Sequence, residues 1–220
     1  MVKVLGIDEA GRGPVIGPLI IAGVMIEKGK EETLGAVKDS KLVKQKDRVI
    51  LNEIIQKNSE YKIIEVFPKE IDEALDPSNK DMNLNWLEAH KQAQIINELK
   101  PDKAIIDCPS INCIAYEAYL RKLLINKETI LVVEHKADVN YPVCSAASIL
   151  AKVRREEEMN KIREKYGDVG PGYPSNEITQ AFIKENWNKH PEIFRKTWST
   201  YKNYANPETN PKKQKKLGEF

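Results

Sequence analysis

The chain has 220 residues, of which 41% are hydrophobic and 31% are charged. This length suits one large domain, or one domain with an appendage, and the composition is typical of a soluble globular protein with a hydrophobic core. The formal net charge is only +2, so overall charge does not indicate a nucleic-acid-binding protein, and any basic surface must be local.

The first half of the chain alternates short apolar runs with longer amphipathic ones. The apolar runs 2–7 and 19–26 predict two strands. A capping serine precedes a predicted helix over 43–57, and a loose alternation of apolar and polar residues predicts a third strand over 61–67. An apolar stripe over 81–99 predicts a second helix.

The second half of the chain repeats the order of strand and helix. Strands are predicted over 103–107 and 129–134, and helices over 111–124, 143–166 and 177–189. Strands that come first and then alternate with helices predict an α/β domain, with a mixed sheet that helices cover on its faces.

Two aspartates lie at the carboxyl ends of predicted strands. Asp8 follows the strand over 2–7, and Asp107 ends the strand over 103–107. In sheets of this class, the loops at the carboxyl ends of parallel strands gather in one crevice. If these two strands are parallel neighbours, the two carboxylates meet.

The stretch GIDEAGRGPVIGP, residues 6–18, places two carboxylates before a glycine-rich turn. Its glycines imitate a dinucleotide-binding fingerprint, but the third glycine comes one residue late. The fingerprint also needs a helix next, whose N-terminus holds the pyrophosphate, and a predicted strand follows instead. The dinucleotide-binding interpretation therefore fails, which leaves a metal site and a plain turn.

The adjacent Asp8 and Glu9 favour the metal site over the plain turn. In a regular strand their side chains point to opposite faces, so we expect the chain to turn at Glu9, as the following glycines permit. Buried carboxylates repel each other, and a divalent cation offsets that repulsion. Oxygen ligands of this kind suit Mg²⁺ or Mn²⁺ rather than Zn²⁺.

A further carboxylate fits this pattern. Asp138 lies in EHKADVNYP, after a predicted strand and before the long helix, and a helix N-terminus favours the ionised form that a ligand needs. Each aspartate taken alone is more often a cap or a turn residue. Together, Asp8, Glu9, Asp107 and Asp138 predict a divalent metal site.

The cysteines and histidines show no spacing that indicates a site. We expect reduced, mostly buried thiols and surface or packing imidazoles for this set: Cys108, Cys113, Cys144, His90, His135 and His190. No signal peptide is evident, and the longest apolar run, 19–26, is too short to span a membrane, so we expect a cytoplasmic protein.

Five motifs together resemble ribonuclease HII, closest in layout to the archaeal type. They are GIDEAGRGPVIGP, DSK at 39–41, IID at 105–107, KADVNYPVCSAASILAKVRR from residue 136 and GPGYPS from residue 170. The first and fourth motifs are long and specific, and the resemblance covers most of 1–190. It implies a ribonuclease-H-like fold with a helical C-terminal extension.

The resemblance also implies an activity. The expected enzyme is a monomeric endonuclease that cleaves the RNA strand of RNA–DNA hybrids and single ribonucleotides embedded in duplex DNA. The expected products carry 3′-hydroxyl and 5′-phosphate ends. Two rival functions remain: a non-catalytic hybrid- or duplex-binding module, and a ribonuclease-H-like nuclease that acts on DNA.

Residue roles follow from the same resemblance. The metal-binding and catalytic carboxylates are Asp8, Glu9, Asp107 and Asp138, with Mg²⁺ or Mn²⁺ as cofactor. The loop Gly11, Arg12 and Gly13 senses the ribose 2′-hydroxyl, and Tyr173 reads the junction, although Tyr173 can equally be a packing residue. The phosphate contacts are Ser40, Lys41 and Lys152.

The C-terminal region divides into two segments after the catalytic domain of 1–190. Segment 191–205 contains FRKTWSTYKNY, whose aromatic and basic residues suit either a nucleic-acid-binding face or packing onto the domain. Segment 206–220 is polar, contains proline and is expected to be flexible. In it, Gln214, Leu217 and Phe220 recur every three residues and resemble a sliding-clamp-binding peptide, the alternative being a solvated lysine-rich tail.

Overall fold

Five strands form one mixed sheet in the computed structural model, which describes residues 1–35, 37 and 45–206, with the backbone alone at 45 and 46. The order across the sheet is β3-β2-β1-β4-β5. Strands β1, β4 and β5 are parallel, and β2 is antiparallel to both β1 and β3. The strands are β1 Lys3–Ala10, β2 Leu19–Glu27, β3 Glu60–Val66, β4 Lys103–Asp107 and β5 Ile130–Glu134.

Helices cover both faces of the sheet, as the sequence predicts. Two short 3₁₀ turns, Glu31–Leu34 and Pro191–Ile193, accompany them. The α-helices are α1 Gln45–Asn58, α2 Pro68–Ala74, α3 Leu84–Leu99, α4 Cys113–Leu123, α5 Ala137–Asn140, α6 Pro142–Tyr166, α7 Glu177–Asn186 and α8 Ser199–Ala205. The short helices α2, α5 and α8 are absent from the sequence prediction, because each is too brief to show an apolar period.

Alternation along the strands divides the core between the two faces. Leu5 and Ile7 of β1 pack with residues of α3 and α4, whereas Val4 and Ala10 pack with α6. The first turn of α6 lies directly on β1, since a Cβ atom at Gly6 would stand 2.3 Å from the carbonyl carbon of Val143. This close approach brings the start of α6 to the strand that carries Asp8.

The aromatic residues of the C-terminal region pack against the start of the chain. Phe194 and Tyr201 are buried with Val15 and Ile16, and Ile16 forms an isolated β-bridge with Phe194. The Tyr201 hydroxyl donates to the carbonyl of Trp187 at 3.1 Å. These are the contacts of a packing segment.

None of the helices in the described part of the chain is both long enough and apolar enough to cross a bilayer.

Candidate active site

Three aspartates meet at one end of the parallel strands. The β1–β4 register pairs Ile7 with Ile106, which places Asp8 beside Asp107 at the carboxyl ends of both strands. Asp138 lies in α5, directly after β5. Carboxylate oxygens of the three side chains all lie within 4.8 Å of one another. The expected meeting of the strand-end carboxylates is therefore present.

Backbone hydrogen bonds hold this group in place. Lys136 precedes α5 in the left-handed conformation, with a φ of 62°. The chain then turns so that the amide of Ala137 donates to Oδ1 of Asp107 at 3.2 Å. The amide of Glu9 donates to Oδ1 of Asp8 at 2.7 Å.

The site concentrates negative charge. Burial raises the pKa of Asp8 to about 7, and the charge of Asp107 adds to the shift. Burial also raises the pKa of Glu9 well above its ordinary value, with contributions from Glu88, Asp8 and Asp107. The Oε2 atom of Glu9 is buried and makes no hydrogen bond within the described residues. An all-oxygen donor set with such an orphaned atom fits a hard divalent cation.

The chain does not turn at Glu9. Strand β2 pairs with β1 as far as Ala10, and this antiparallel ladder carries β1 three residues beyond the predicted end. Strand alternation therefore puts Glu9 on the face of α3, where Glu88 is its strongest electrostatic neighbour. The group of three aspartates consequently forms without Glu9, which lies next to it across the strand.

Hydrogen bonds from the C-terminal segment fix the loop Gly11–Gly13. Arg195 is fully buried and donates to three carbonyls, those of Gly11 at 2.6 Å, Arg12 at 2.9 Å and Gly17 at 3.0 Å. Burial lowers the pKa of the Arg195 guanidinium to about 9. The indole of Trp198 donates to the carbonyl of Gly13 at 3.1 Å. Sequence reasoning missed this clamp, and its only sequence signal is the aromatic and basic run 194–204.

The Arg12 side chain is engaged with α3. Its Nε donates to the buried Glu88 carboxylate at 2.9 and 3.1 Å, and its Nη2 donates to Asn85 at 2.6 Å. Burial raises the pKa of Glu88 to about 7 even though the charge of Arg12 opposes the shift. Arg12 thus anchors the loop to α3, and the loop offers mainly backbone groups to a ligand.

A groove of about 340 Å³ runs beside the carboxylates. The ring of Tyr173, which is 42% exposed, lies over Gly13 and under the guanidinium of Arg155, whose Cζ is 5.5 Å from the ring centroid. Sequence reasoning missed Arg155, which lies three residues after Lys152 and hence on the same side of α6. The groove is lined by Glu9, Ala10, Gly11, Arg12, Gly13, Arg48, Lys152, Arg155, Glu156 and Tyr173.

Five predicted site residues lie outside the described part of the chain. They are Ser40, Lys41, Gln214, Leu217 and Phe220.

Comparison with known proteins gives one consistent family. Residues 5–201 match the family model described as ribonuclease HII. The chain is 43% identical over 204 residues to the ribonuclease HII of Methanosphaera stadtmanae, which covers 91% of this chain and 94% of that protein.

Two solved structures agree in fold over nearly the whole chain. The ribonuclease H2 of Pyrococcus horikoshii superposes with a TM-score of 0.85 at 37% identity, covering 95% of this chain and 100% of that one. The ribonuclease HII of Archaeoglobus fulgidus, solved in a complex with PCNA, gives a TM-score of 0.79 at 38% identity, covering 90% and 95%. The expected mixed sheet with flanking helices and a helical C-terminal region is confirmed. The chain belongs to the ribonuclease HII family, and its enzymatic activity is that of a ribonuclease H.

Proposed function

We propose that this enzyme cleaves the RNA strand of RNA–DNA hybrids and single ribonucleotides embedded in duplex DNA. The observation that carries the proposal is the three-aspartate group beside a groove that contains the Gly11–Gly13 loop and Tyr173. We propose further that it acts as a cytoplasmic monomer, with 1–190 as catalytic domain, 191–205 as packing segment and 206–220 as a flexible tail.

The proposed cofactor is Mg²⁺ or Mn²⁺, held by Asp8, Glu9, Asp107 and Asp138. Bound divalent cations supply Lewis-acid stabilisation of the attacking and leaving oxygens in an in-line displacement at phosphorus. The carboxylates contribute the negative charge that attracts the cations, and the hydrogen bonds from Glu9 and Ala137 amides fix two of them. No side-chain nucleophile is required, so the chain's part is to position the phosphate and exclude other geometries.

Recognition of the ribose is assigned to the backbone of Gly11–Gly13. Gly11 has a φ of 85°, and a Cβ atom there would stand 2.4 Å from Nε of Arg155, so the loop can keep this shape only with glycine. A backbone without a Cβ can approach a sugar closely, and the 2′-hydroxyl is the group that separates RNA from DNA. The groove carries positive charge that attracts phosphates, supplied by Arg48, Lys152 and Arg155.

We also assign Ser40 and Lys41 to phosphate contacts, as the family resemblance implies.

The chemical ends of the products test the reaction. Cleavage on the 5′ side of a ribonucleotide should leave a 5′-phosphate. A ligase that requires 5′-phosphate and 3′-hydroxyl ends should reseal the nick without prior kinase treatment. Product that needs a kinase before resealing would contradict the proposed bond cleavage.

Of the two rival functions, the non-catalytic binding module is not retained, because the chain is a ribonuclease H. A preference for DNA substrates is tested by an all-DNA duplex of the same sequence.

Removing the aromatic ring at position 173 is expected to weaken recognition of the embedded ribonucleotide. Base–aromatic stacking of this type contributes roughly 1–3 kcal/mol, so Tyr173→Ala should lower kcat/KM on such a duplex by roughly 5- to 150-fold. The matched variant Tyr173→Phe keeps the ring and should keep most of the activity. If Tyr173→Ala cleaves ribonucleotide-containing and all-DNA duplexes as the parent does, Tyr173 is a packing residue.

The C-terminal tail is assigned to a sliding clamp. The solved complex of the A. fulgidus ribonuclease HII contains PCNA, and this chain is 38% identical to that enzyme. The proposed contacts are Gln214, Leu217 and Phe220. The motif ends in one aromatic residue where two are usual, which favours weak binding.

Deleting 212–220 is expected to abolish clamp binding while leaving cleavage of short duplexes unchanged. Burial of Leu217 and Phe220 contributes roughly 1.5–3 kcal/mol each, and ordering the tail offsets part of this. A micromolar complex needs about 8 kcal/mol, so we expect micromolar affinity at best. Calorimetry with the host's clamp measures it, with a full-length Leu217→Ala, Phe220→Ala variant as the length-matched control. Equal heats of clamp binding for the parent and the truncated protein would show that the tail does not bind the clamp.

A further inference from the structure

A second group of potential metal ligands lies next to the carboxylates but differs from them in chemistry. A sulfur atom of Cys108, a sulfur atom of Cys113 and a ring nitrogen of His135 all lie within 4.8 Å of one another. Cys108 follows β4, Cys113 is the first residue of α4, and His135 follows β5. The sequence shows no zinc-type spacing because the third ligand comes from the next strand, and the parallel β4–β5 pairing brings it back.

One distance within the group matches that of a tetrahedral zinc site. Sγ of Cys113 lies 3.4 Å from Nε2 of His135. Zinc bonds of about 2.3 Å to sulfur and 2.0–2.1 Å to nitrogen put two such ligand atoms about 3.5 Å apart at a tetrahedral angle. The Cys108 thiol donates a hydrogen bond to the carbonyl of Ser110 at 3.3 Å, and it would give up this bond on binding an ion. Binding one ion would draw the three ligand atoms, now within 4.8 Å of one another, closer together.

Burial is graded across this group. Cys108 is buried, Cys113 is partly buried and His135 is exposed. An ion can therefore enter from the His135 side, and a fourth coordination position can face solvent.

We propose that Cys108, Cys113 and His135 bind one Zn²⁺ ion, separate from the hard cations of the carboxylate group. Thiolate and imidazole ligands select zinc, whereas carboxylates select Mg²⁺ or Mn²⁺. Because Cys108 adjoins Asp107 and His135 lies three residues before Asp138, the ion links the two loops that carry these aspartates. Its expected consequence is a more rigid arrangement of Asp107 and Asp138.

Cobalt spectroscopy and zinc competition test the proposal on the full chain. Metal-free protein is titrated with Co²⁺ and then with Zn²⁺ against a chromophoric chelator, with Mg²⁺ in excess to occupy the carboxylates. The expected result is one equivalent bound, a thiolate-to-cobalt charge-transfer band, and displacement by Zn²⁺. The variants Cys113→Ser and His135→Gln should each lower zinc affinity by at least about tenfold, and Cys113→Ser should weaken the band.

Two controls separate this site from its surroundings. Cys144→Ala removes a thiol outside the group, and Asp138→Asn disrupts the carboxylates; both should keep the charge-transfer band. Zn²⁺ should also raise the Tm of the parent and leave that of Cys113→Ser unchanged. Absence of the band in the parent, equal zinc affinity in all variants, or a disulfide between Cys108 and Cys113 in freshly purified protein would each overturn the proposal.

Discussion

Asp8→Asn and Asp107→Asn are each expected to abolish cleavage and to leave the fold intact. Each change removes one negative ligand from a group whose oxygens lie within 4.8 Å, so the site loses affinity for the cation and the geometry that positions it. The neutral amide keeps the size of the side chain and removes the repulsion that the metal-free site contains. Steady-state rates under saturating Mg²⁺ measure the effect, and near-parental turnover by either variant would refute the metal assignment.

Asp8→Asn is also expected to stabilise the metal-free protein, by an amount that depends on pH. The pKa of Asp8 rises from 3.8 to about 7 on folding, so the native state holds this proton more tightly than the unfolded state. The free energy of unfolding of the parent therefore falls as pH rises between these values and is constant above them. Asp8→Asn removes this loss. The variant should therefore be no more stable than the parent near pH 4, and its extra free energy of unfolding should be complete above pH 7.

Proton linkage predicts that the free energy of unfolding of Asp8→Asn exceeds that of the parent by on the order of 1–4 kcal/mol at pH 8. The upper end corresponds to the full pKa shift. Denaturant unfolding in EDTA at both pH values measures it. The exposed Asp81 supplies the control, because Asp81→Asn changes the net charge equally at a distance from the site. A greater stability difference at acid pH than at pH 8 would reverse the predicted sign.

Arg195→Met is expected to destabilise the protein by at least about 3 kcal/mol, because three carbonyls lose their donor at once and each orphaned acceptor costs about 1–3 kcal/mol. These acceptors belong to Gly11, Arg12 and Gly17. At temperatures where the variant stays folded, the loosened loop should discriminate less between ribose and deoxyribose. Because Arg195 touches none of the aspartates in these hydrogen bonds, the Mg²⁺ concentration for half-maximal rate should stay near the parental value.

Two conservative variants calibrate the effect of Arg195. Arg195→Lys keeps a donor and should fall between the parent and Arg195→Met. Trp198→Phe removes the hydrogen bond to Gly13 and shrinks the ring whose centroid lies 4.9 Å from Cζ of Arg195, and it should cost about 1–2 kcal/mol. A loss below 1 kcal/mol in Arg195→Met, with unchanged ribose discrimination, would show that the clamp does not hold the loop.

Most of the sheet and one half of the site follow from local patterns in the sequence. Apolar runs and one alternating stretch predict the five strands, and parallel pairing of β1 with β4 then brings Asp8 to Asp107. Asp138 follows in the same way, because β5 is the next parallel strand. These inferences succeed since they need only a strand, its end and its neighbour.

Three of the features that sequence reasoning missed depend on partners outside their own segment. The end of β1 is set by pairing with β2, so Glu9 stays in the strand. Arg195 reaches carbonyls at the opposite end of the chain, and a single buried arginine has no periodicity to reveal it. The ligand group of Cys108, Cys113 and His135 combines two loops and follows no local spacing.

The most direct test uses a labelled DNA duplex that contains one internal ribonucleotide, incubated with the enzyme in the presence of Mg²⁺ or Mn²⁺ and in the presence of EDTA. We expect a single cut on the 5′ side of the ribonucleotide with either cation, no cut in EDTA, and no cut in the all-DNA duplex of the same sequence. Cleavage that persists in EDTA, or equal cleavage of the all-DNA duplex, would contradict it.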